Sequence, residues 1–191
     1  MVENRIAQNF GAWGLLKYAL PTVCMMLFTS IYTMVDGVFV AQFVSVDALS
    51  ALNIVNPLFS LVMGFGVMLG AGGSAVIAKN IGEGTILGLV LMVLLLVFME
   101  PILSLLGATE ILMPYCKEYC YYIVGFLAPW VLELMFSSYF ITAGKPQIGL
   151  IATLCSGVFN IVGDYVLIVV VGMGIRGAAL ATGLATCIPV V

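Results

Sequence analysis

Long apolar stretches occupy most of this 191-residue chain and decide which folds are open to it. Five of them, at residues 15–41, 52–78, 86–106, 119–143 and 148–171, are long enough to cross a bilayer as helices, which needs about 20 residues. Only 8% of the residues are charged, against roughly a quarter in soluble domains. The sequence therefore predicts an all-α, polytopic membrane bundle rather than a soluble domain or a β-barrel.

The two ends of the chain complete this expected layout. The last apolar run, residues 178–191, is too short to cross a bilayer, so we expect a truncated sixth transmembrane helix. Residues 1–14 are polar and do not resemble a cleavable signal, which leaves one membrane domain at residues 15–191. With the N-terminus in the cytoplasm, four of the six Lys and Arg residues lie inside, the arrangement that membrane proteins favour.

Several function classes are disfavoured by the residues present. Histidine is absent, which excludes His-based catalytic triads and most zinc sites. The five cysteines lie in or beside apolar runs, where free thiols are expected rather than a disulfide framework. Residues 172–177 match the G-x-G-x-x-G pattern of dinucleotide sites, but the apolar run before them is too long for a strand. We therefore expect no catalytic residue and no enzyme.

The fifth apolar run contains a carboxylate, which is the most informative polar group in the chain. Asn160 and Asp164 are four residues apart and share one helical face. An ionisable group at the centre of a membrane helix costs at least ~2.5–3.5 kcal/mol and usually marks a functional site. The alternative is a structural Asp held by hydroxyl groups inside the bundle.

Depth in the membrane connects this pair with two other helices. With a rise of about 1.5 Å per residue, Asp36, Asp164 and Thr182 all lie about 8–10 Å from the same membrane surface. We therefore expect Asp36, Asn160, Asp164 and Thr182 to converge in one cavity. The ligand atoms that these side chains offer are hard oxygens, which suit a proton or Na⁺. Because the two carboxylates repel each other, ionisation of both at once is disfavoured. General acid/base catalysis is the competing use of such a pair.

Glu133, in the fourth apolar run, is a third acid within the membrane. Two interpretations stand side by side for it. Its side chain lines a cleft, or it is hydrogen-bonded within the bundle.

Several stretches carry a family resemblance, in chain order. They are LPTVCMMLFTSIYTMVDGVFVAQFV, ALSALNIVNPLFSLVMGFGVMLGAGGSAVIAKNIGEG, EPILSLLGAT, ITAGKP and NIVGDYVLIVVVGMGIRGAALAT. Together they resemble the N-terminal lobe of the multidrug and toxic compound extrusion (MATE) transporters, and the resemblance covers nearly the whole chain. The family is a twelve-helix bundle of two six-helix lobes. Its members export cationic, amphipathic drugs in exchange for Na⁺ or protons.

The resemblance also implies a site and a set of partners. One family branch holds a cation with an Asp of the first helix, an Asn and an Asp of the fifth and a Thr of the sixth, which match Asp36, Asn160, Asp164 and Thr182. Apart from Na⁺ or H⁺ as coupling ion, no cofactor is implied. The implied partners are membrane lipid, small cationic substrates, and a C-terminal lobe or a second copy, with no nucleic acid. The implied location is a bacterial or archaeal inner membrane.

One departure and two alternatives qualify these expectations. Family members usually have a longer charged stretch after the GEG turn, whereas here Gly84 is followed directly by TILGLVLM. We therefore expect the third helix to have lost its cytoplasmic start. The first alternative function is a non-transporting fragment, or a lobe that needs a partner chain. The second is a flippase of lipid-linked precursors from a related superfamily.

Overall fold

The computed structural model describes residues 12–72 and 77–190, and nearly all of them are helical. In chain order the helices are α1 (Ala12–Phe43), α2 (Val46–Gly72), α3 (Ile77–Val97), α4 (Met99–Leu105), α5 (Met113–Val124), α6 (Leu127–Thr142), α7 (Pro146–Asp164) and α8 (Ile175–Cys187). A π-helical segment, Tyr165–Val170, continues α7, and a 3-10 turn, Ile188–Val190, follows α8.

These helices have the lengths and composition of membrane segments. In the described part of the chain, α1, α2 and α7 with its π-helical segment are each long and apolar enough to cross a membrane. Two further spans result if the bent pairs α3–α4 and α5–α6 each count as one, and Ile175–Val190 is a shorter apolar helix. The predicted all-α membrane bundle is thus confirmed. The sixth span stays a prediction.

Proline explains both sharp bends. The axes of α3 and α4 meet at 79°, and those of α5 and α6 at 63°. Pro101 and Pro129 each stand three residues into the second helix of their pair. Because proline has no backbone N–H, a continuous helix would leave the carbonyls of Val97 and Gly125 without their partners. The chain therefore turns just before each proline and starts a new helix.

The start of the third helix differs from expectation. The sequence pattern predicted that α3 had lost its cytoplasmic start after Gly84, yet the helix already begins at Ile77. Gly84, within the helix, packs closely against α6. A Cβ at Gly84 would lie 2.3 Å from the sulphur of Met135, so the missing side chain lets α3 and α6 approach closely.

The core lies where α2, α5 and α6 meet. Val55, Ile123, Leu127, Val131 and Met135 are buried there. Around this core α3 packs on α6, α8 packs on α5 and α7, and α1 packs mainly on α7. Most of the large side chains exposed on α1 and α3 are apolar, as expected for surfaces that face lipid.

Gly88 of α3 offers a test of this packing. A Cβ at Gly88 would lie 2.5 Å from the Cα of Ala128, a backbone atom that cannot move away easily, whereas Gly64 has no atom within 4 Å. Gly88→Ala is therefore expected to destabilise the bundle by about 1–3 kcal/mol, as overpacking does. Gly64→Ala serves as the control and should leave stability unchanged or raise it. Thermal unfolding of both variants in detergent compares them; equal midpoints would contradict this α3–α6 contact.

Candidate cation site

Close packing of α1 on α7 brings the first two candidate residues together. A Cβ at Gly157 would lie 2.5 Å from the ring of Phe28 and 2.8 Å from that of Tyr32, so α7 can lie directly against these rings. Asp36 is one turn beyond Tyr32, and Asp164 lies two turns beyond Gly157. The contact at Gly157 thereby sets both carboxyl groups at the same level of the bundle.

The approach of α8 to α7 also depends on small residues. A Cβ at Gly163 would lie 3.0 Å from the Cβ of Ala181. One turn before Asn160, the buried Ser156 hydroxyl donates to the carbonyl of Ala185 at 2.8 Å. These contacts hold Thr182 of α8 opposite the Asn160 face of α7.

Asp36 and Asp164 form a buried pair of carboxyl groups. Asp164 is 0% exposed, and the two side chains interact with each other. Asp36 Oδ1 and both carboxyl oxygens of Asp164 are buried without a hydrogen-bond donor among the described residues. Because an ionised carboxylate can only accept, a hydrogen bond between the two groups requires one proton. If both carboxyl groups were ionised, two buried negative charges would lie side by side. They need either a shared proton or a cation between them.

Asn160 and Thr182 add neutral oxygens beside the carboxyl pair. The Asn160 amide Nδ2 donates to Thr182 Oγ1 at 3.2 Å, while the buried Asn160 Oδ1 has no donor within the part of the chain that the structure describes. Tyr119, on α5, lies close enough to Thr182 for the two side chains to interact. Tyr119 is only 4% exposed. The cluster therefore combines four helices: α1, α5, α7 and α8.

A cavity of about 470 Å³ opens beside this cluster. Asp36, Asn160, Thr182 and Tyr119 line it, while Asp164 lies behind Asp36. Other parts of the wall include polar residues of α2 and aromatic residues of α2 and α6. These lining residues are Asn53, Asn56 and Ser60, and Phe59 and Trp130, whose ring centroids lie 5.2 Å apart.

Of the four residues that the sequence placed in one cavity, Asp36, Asn160 and Thr182 line it, and Asp164 is buried beside Asp36 without lining it. Glu133 is not among the described residues that line it; it is half-buried on α6, close enough for its charge to act on Tyr32. Tyr119 was missed, because the pattern put it at the very start of an apolar run. The helix α5 in fact begins at Met113, which carries Tyr119 into the bundle.

The ligand atoms of the site restrict which ions it can bind. The described residues contain no group of three or more His, Cys, Asp or Glu that could bind a metal ion together. The cluster offers two carboxylates, one amide oxygen and hydroxyl oxygens. Such hard oxygens fit Na⁺ or a proton, and the unpartnered buried oxygens are where either would be held.

Comparison of the sequence with known proteins identifies its relatives. The MatE family model matches residues 21–86 and 84–166, two segments that meet at the shortened link. The multidrug export protein MepA of Staphylococcus haemolyticus is 28% identical over 193 residues, covering 92% of this chain and 42% of the relative. MepA of Staphylococcus aureus (strain MRSA252) is 28% identical over 189 residues, covering 90% and 42%. The chain therefore spans less than half the length of these relatives.

Solved structures share the arrangement of helices. The Vibrio cholerae MATE transporter VcmN, in its bent form, superposes with a TM-score of 0.83 at 23% identity, over 92% of this chain and 44% of VcmN. A MOP superfamily transporter from Pyrococcus furiosus gives a TM-score of 0.83 at 21% identity, over 91% and 42%. Family match and fold agree: this chain belongs to the MatE family and has the fold of the N-terminal lobe of a MATE transporter.

Proposed function

We propose that the chain is the N-terminal lobe of an exporter that moves cationic, amphipathic drugs out of the cell in exchange for Na⁺ or protons. The observation that carries this proposal is the group of buried, unpartnered oxygens on Asp36, Asn160 and Asp164. The names of the MepA relatives, multidrug export proteins, support it. This role is one of transport, with no catalytic residue.

The cation acts on the packing of the lobe. When Na⁺ or a proton binds, the repulsion between Asp36 and Asp164 disappears, and α1 and α7 can close on each other around the Gly157 contact. When the ion leaves, the charged pair favours a more hydrated, open arrangement. Differential binding to two arrangements is what shifts their populations, so ion movement is coupled to the shape of the cavity.

The cavity wall suits the proposed substrates. Tyr32, Phe59 and Trp130 offer aromatic faces to flat or cationic rings, and Asp36 offers negative charge. Asn53 and Asn56 can hydrogen-bond to neutral polar groups of a drug. The wall contains no Lys or Arg, so within the described chain it gives no support to binding of an anionic lipid-linked precursor.

The proposal extends to partners and location. Alternating access requires one repeat to move against another, so this lobe would work with a C-terminal lobe or with a second copy. We place it as a multi-pass protein in a bacterial or archaeal inner membrane, with a cytoplasmic N-terminus. The Lys and Arg bias of the sequence supports that orientation.

Competition between ethidium and Na⁺ tests the exchange. Trp13→Phe leaves Trp130 as the only tryptophan, at the cavity wall, where bound ethidium should quench its fluorescence. Because exchange requires each ligand to disfavour the other, saturating Na⁺ should weaken ethidium binding by about fivefold or more. The titrations use the purified chain, with KCl replacing NaCl at constant ionic strength as the control. Ethidium binding that is insensitive to both Na⁺ and pH would rule out coupling in this lobe.

A further inference from the structure

One face of α6 is directed towards α7 and α8, and Glu133 lies in the middle of that face. At the start of α6, the ring of Phe126 would lie 2.2 Å from a Cβ at Gly183 of α8. Near the other end of α6, the Cβ of Phe140 would lie 3.8 Å from a Cβ at Gly149 of α7. Glu133 is seven residues from each of these aromatic residues, which is about two helical turns, so all three share one face.

The other faces of α6 are occupied by α2 and α3. A Cβ at Gly88 of α3 would lie 2.5 Å from the Cα of Ala128, and one at Gly66 of α2 would lie 2.8 Å from the side chain of Leu134. With a turn of about 100° per residue, Ala128 and Leu134 lie at least about 100° around the helix from Glu133. The half-buried Glu133 therefore lies on the side of α6 that faces the interior of the lobe.

The cavity beside the cation site reaches this side of α6 at Trp130. Trp130 lines the cavity and stands three residues before Glu133, a spacing that sets their Cβ atoms about 5–6 Å apart. A second ring, that of Tyr32 on α1, lines the same cavity. Glu133 is not itself a lining residue, but a charge acts over several ångströms in a protein interior. Its carboxylate can therefore interact with a positive charge held against the rings.

The described part of the chain offers Glu133 no basic neighbour. The helix α6 contains no Lys or Arg, and neither do α2 and α7, which pack on it. In α8, Arg176 stands in the first turn and pairs with Glu118 of α5. In α3, which contacts a different face of α6, Lys79 stands in the first turn, five residues before Gly84. Because a carboxylate inside a membrane bundle is costly without a countercharge, a ligand or a proton has to supply the positive charge.

We propose that Glu133 determines the charge specificity of the cavity: its carboxylate balances the positive charge of an organic cation whose flat rings lie against Trp130 and Tyr32. This inference rests on the proposed export function and separates the substrate's countercharge from the ion's. Aromatic faces with one carboxylate suit an organic cation, whereas Na⁺ needs several oxygen ligands. Because a bound ion neutralises charge at Asp36 and Asp164 but not at Glu133, the preference for cations persists when the cation site is full.

Ethidium and dihydroethidium are matched probes for this specificity. The two molecules have nearly the same size and rings, but only ethidium carries a positive charge. Both are titrated without oxygen into the purified chain in the Trp13→Phe background, in saturating NaCl at one fixed pH, and quenching of Trp130 reports binding. The parent should bind ethidium about tenfold more tightly than dihydroethidium, or better.

Two variants remove the charge of Glu133 in different ways. Glu133→Gln should weaken ethidium binding by about tenfold and dihydroethidium binding by less than about twofold. Ser137→Lys places a positive charge one turn along the same face, where it pairs with Glu133, and should cause the same selective loss. Glu133→Asp keeps the charge and should stay within about threefold of the parent for ethidium. Glu110→Gln is the control, since it removes an exposed carboxylate from the link between α4 and α5 and should change either affinity by less than about twofold.

The outcomes separate this inference from the function on which it rests. If the ratio of the two affinities is the same in Glu133→Gln as in the parent, Glu133 does not select charge, and competition between ethidium and Na⁺ still tests the export function. An equal loss of both ligands would make Glu133 a structural residue and overturn the inference as well. If Glu133→Gln does not fold, Ser137→Lys decides the question in the same way. A parent chain that binds neither ligand overturns the proposed function and this inference together.

Discussion

Asp164→Asn is expected to abolish the stabilisation of this chain by Na⁺. In the parent chain, a cation between Asp36 and Asp164 satisfies buried oxygens that otherwise lack a donor, so saturating Na⁺ at about 100 times its Kd should add about 2.7 kcal/mol to the free energy of unfolding. The variant replaces one carboxylate with an amide that can donate to Asp36. It should therefore be more stable than the parent without Na⁺, by about 1–3 kcal/mol, and gain nothing when Na⁺ is added.

Thermal unfolding of the purified chain, with NaCl exchanged for KCl at constant ionic strength, measures both effects. Asp47→Asn is the matched control, because Asp47 lies exposed in the first turn of α2 and away from the cluster. This control should keep the full Na⁺ response of the parent. An Asp164→Asn variant with the parent's Na⁺ response would leave Asp164 as a structural residue only.

The polar residues of the site could be placed from the sequence because lipid leaves them few alternatives. Asn160 and Asp164 share a face through their spacing alone, and the helical rise gives the depth of each polar group in the membrane. A carboxylate in an apolar run must face protein or water. The depth of each residue and the helical face on which it lies were enough to predict that Asp36 and Thr182 lie near Asn160 and Asp164, as they do in the structure.

Contacts that depend on which helices are neighbours could not be predicted in the same way. Glycine is frequent throughout the chain, and only the packing of α1 on α7 shows that Gly157 is the residue against which Phe28 lies. Tyr119 was hidden by the assumption of a straight fourth span. The bend before Pro129 separates α5 from α6, and α5, which carries Tyr119, packs on α8.

The polar wall on α2 was missed for a related reason. Asn53, Asn56 and Ser60 recur at helical spacing, yet each stands within a run dominated by apolar residues. Single polar residues among apolar neighbours are weak signals unless the opposite wall of a cavity is known. The structure supplies that wall with Asp36 and Tyr32.

Asn160→Ala should separate Na⁺ binding from proton binding. A proton needs only the two carboxyl groups, which share it directly, whereas Na⁺ requires several oxygen ligands, including neutral ones. Among the described residues nothing donates to the buried Asn160 Oδ1, and Asn160 Nδ2 holds Thr182 at 3.2 Å, so the substitution removes one neutral oxygen and releases a second. We expect Na⁺ binding to weaken by about tenfold or more, while the apparent affinity for protons changes by less than about twofold.

Two titrations of the same variant measure this difference, both followed by Trp130 fluorescence in the Trp13→Phe background. In the first, NaCl replaces KCl at fixed pH; in the second, the pH is varied at a fixed KCl concentration. Gln147→Ala is the control, since it removes an exposed amide from the first turn of the same helix, far along α7 from the site. A parallel loss of both responses would mean that Asn160 supports the carboxyl pair itself rather than serving as a ligand. Unchanged Na⁺ binding would exclude the amide from the site, because a neutral ligand that can be removed without effect is not one that the cation uses.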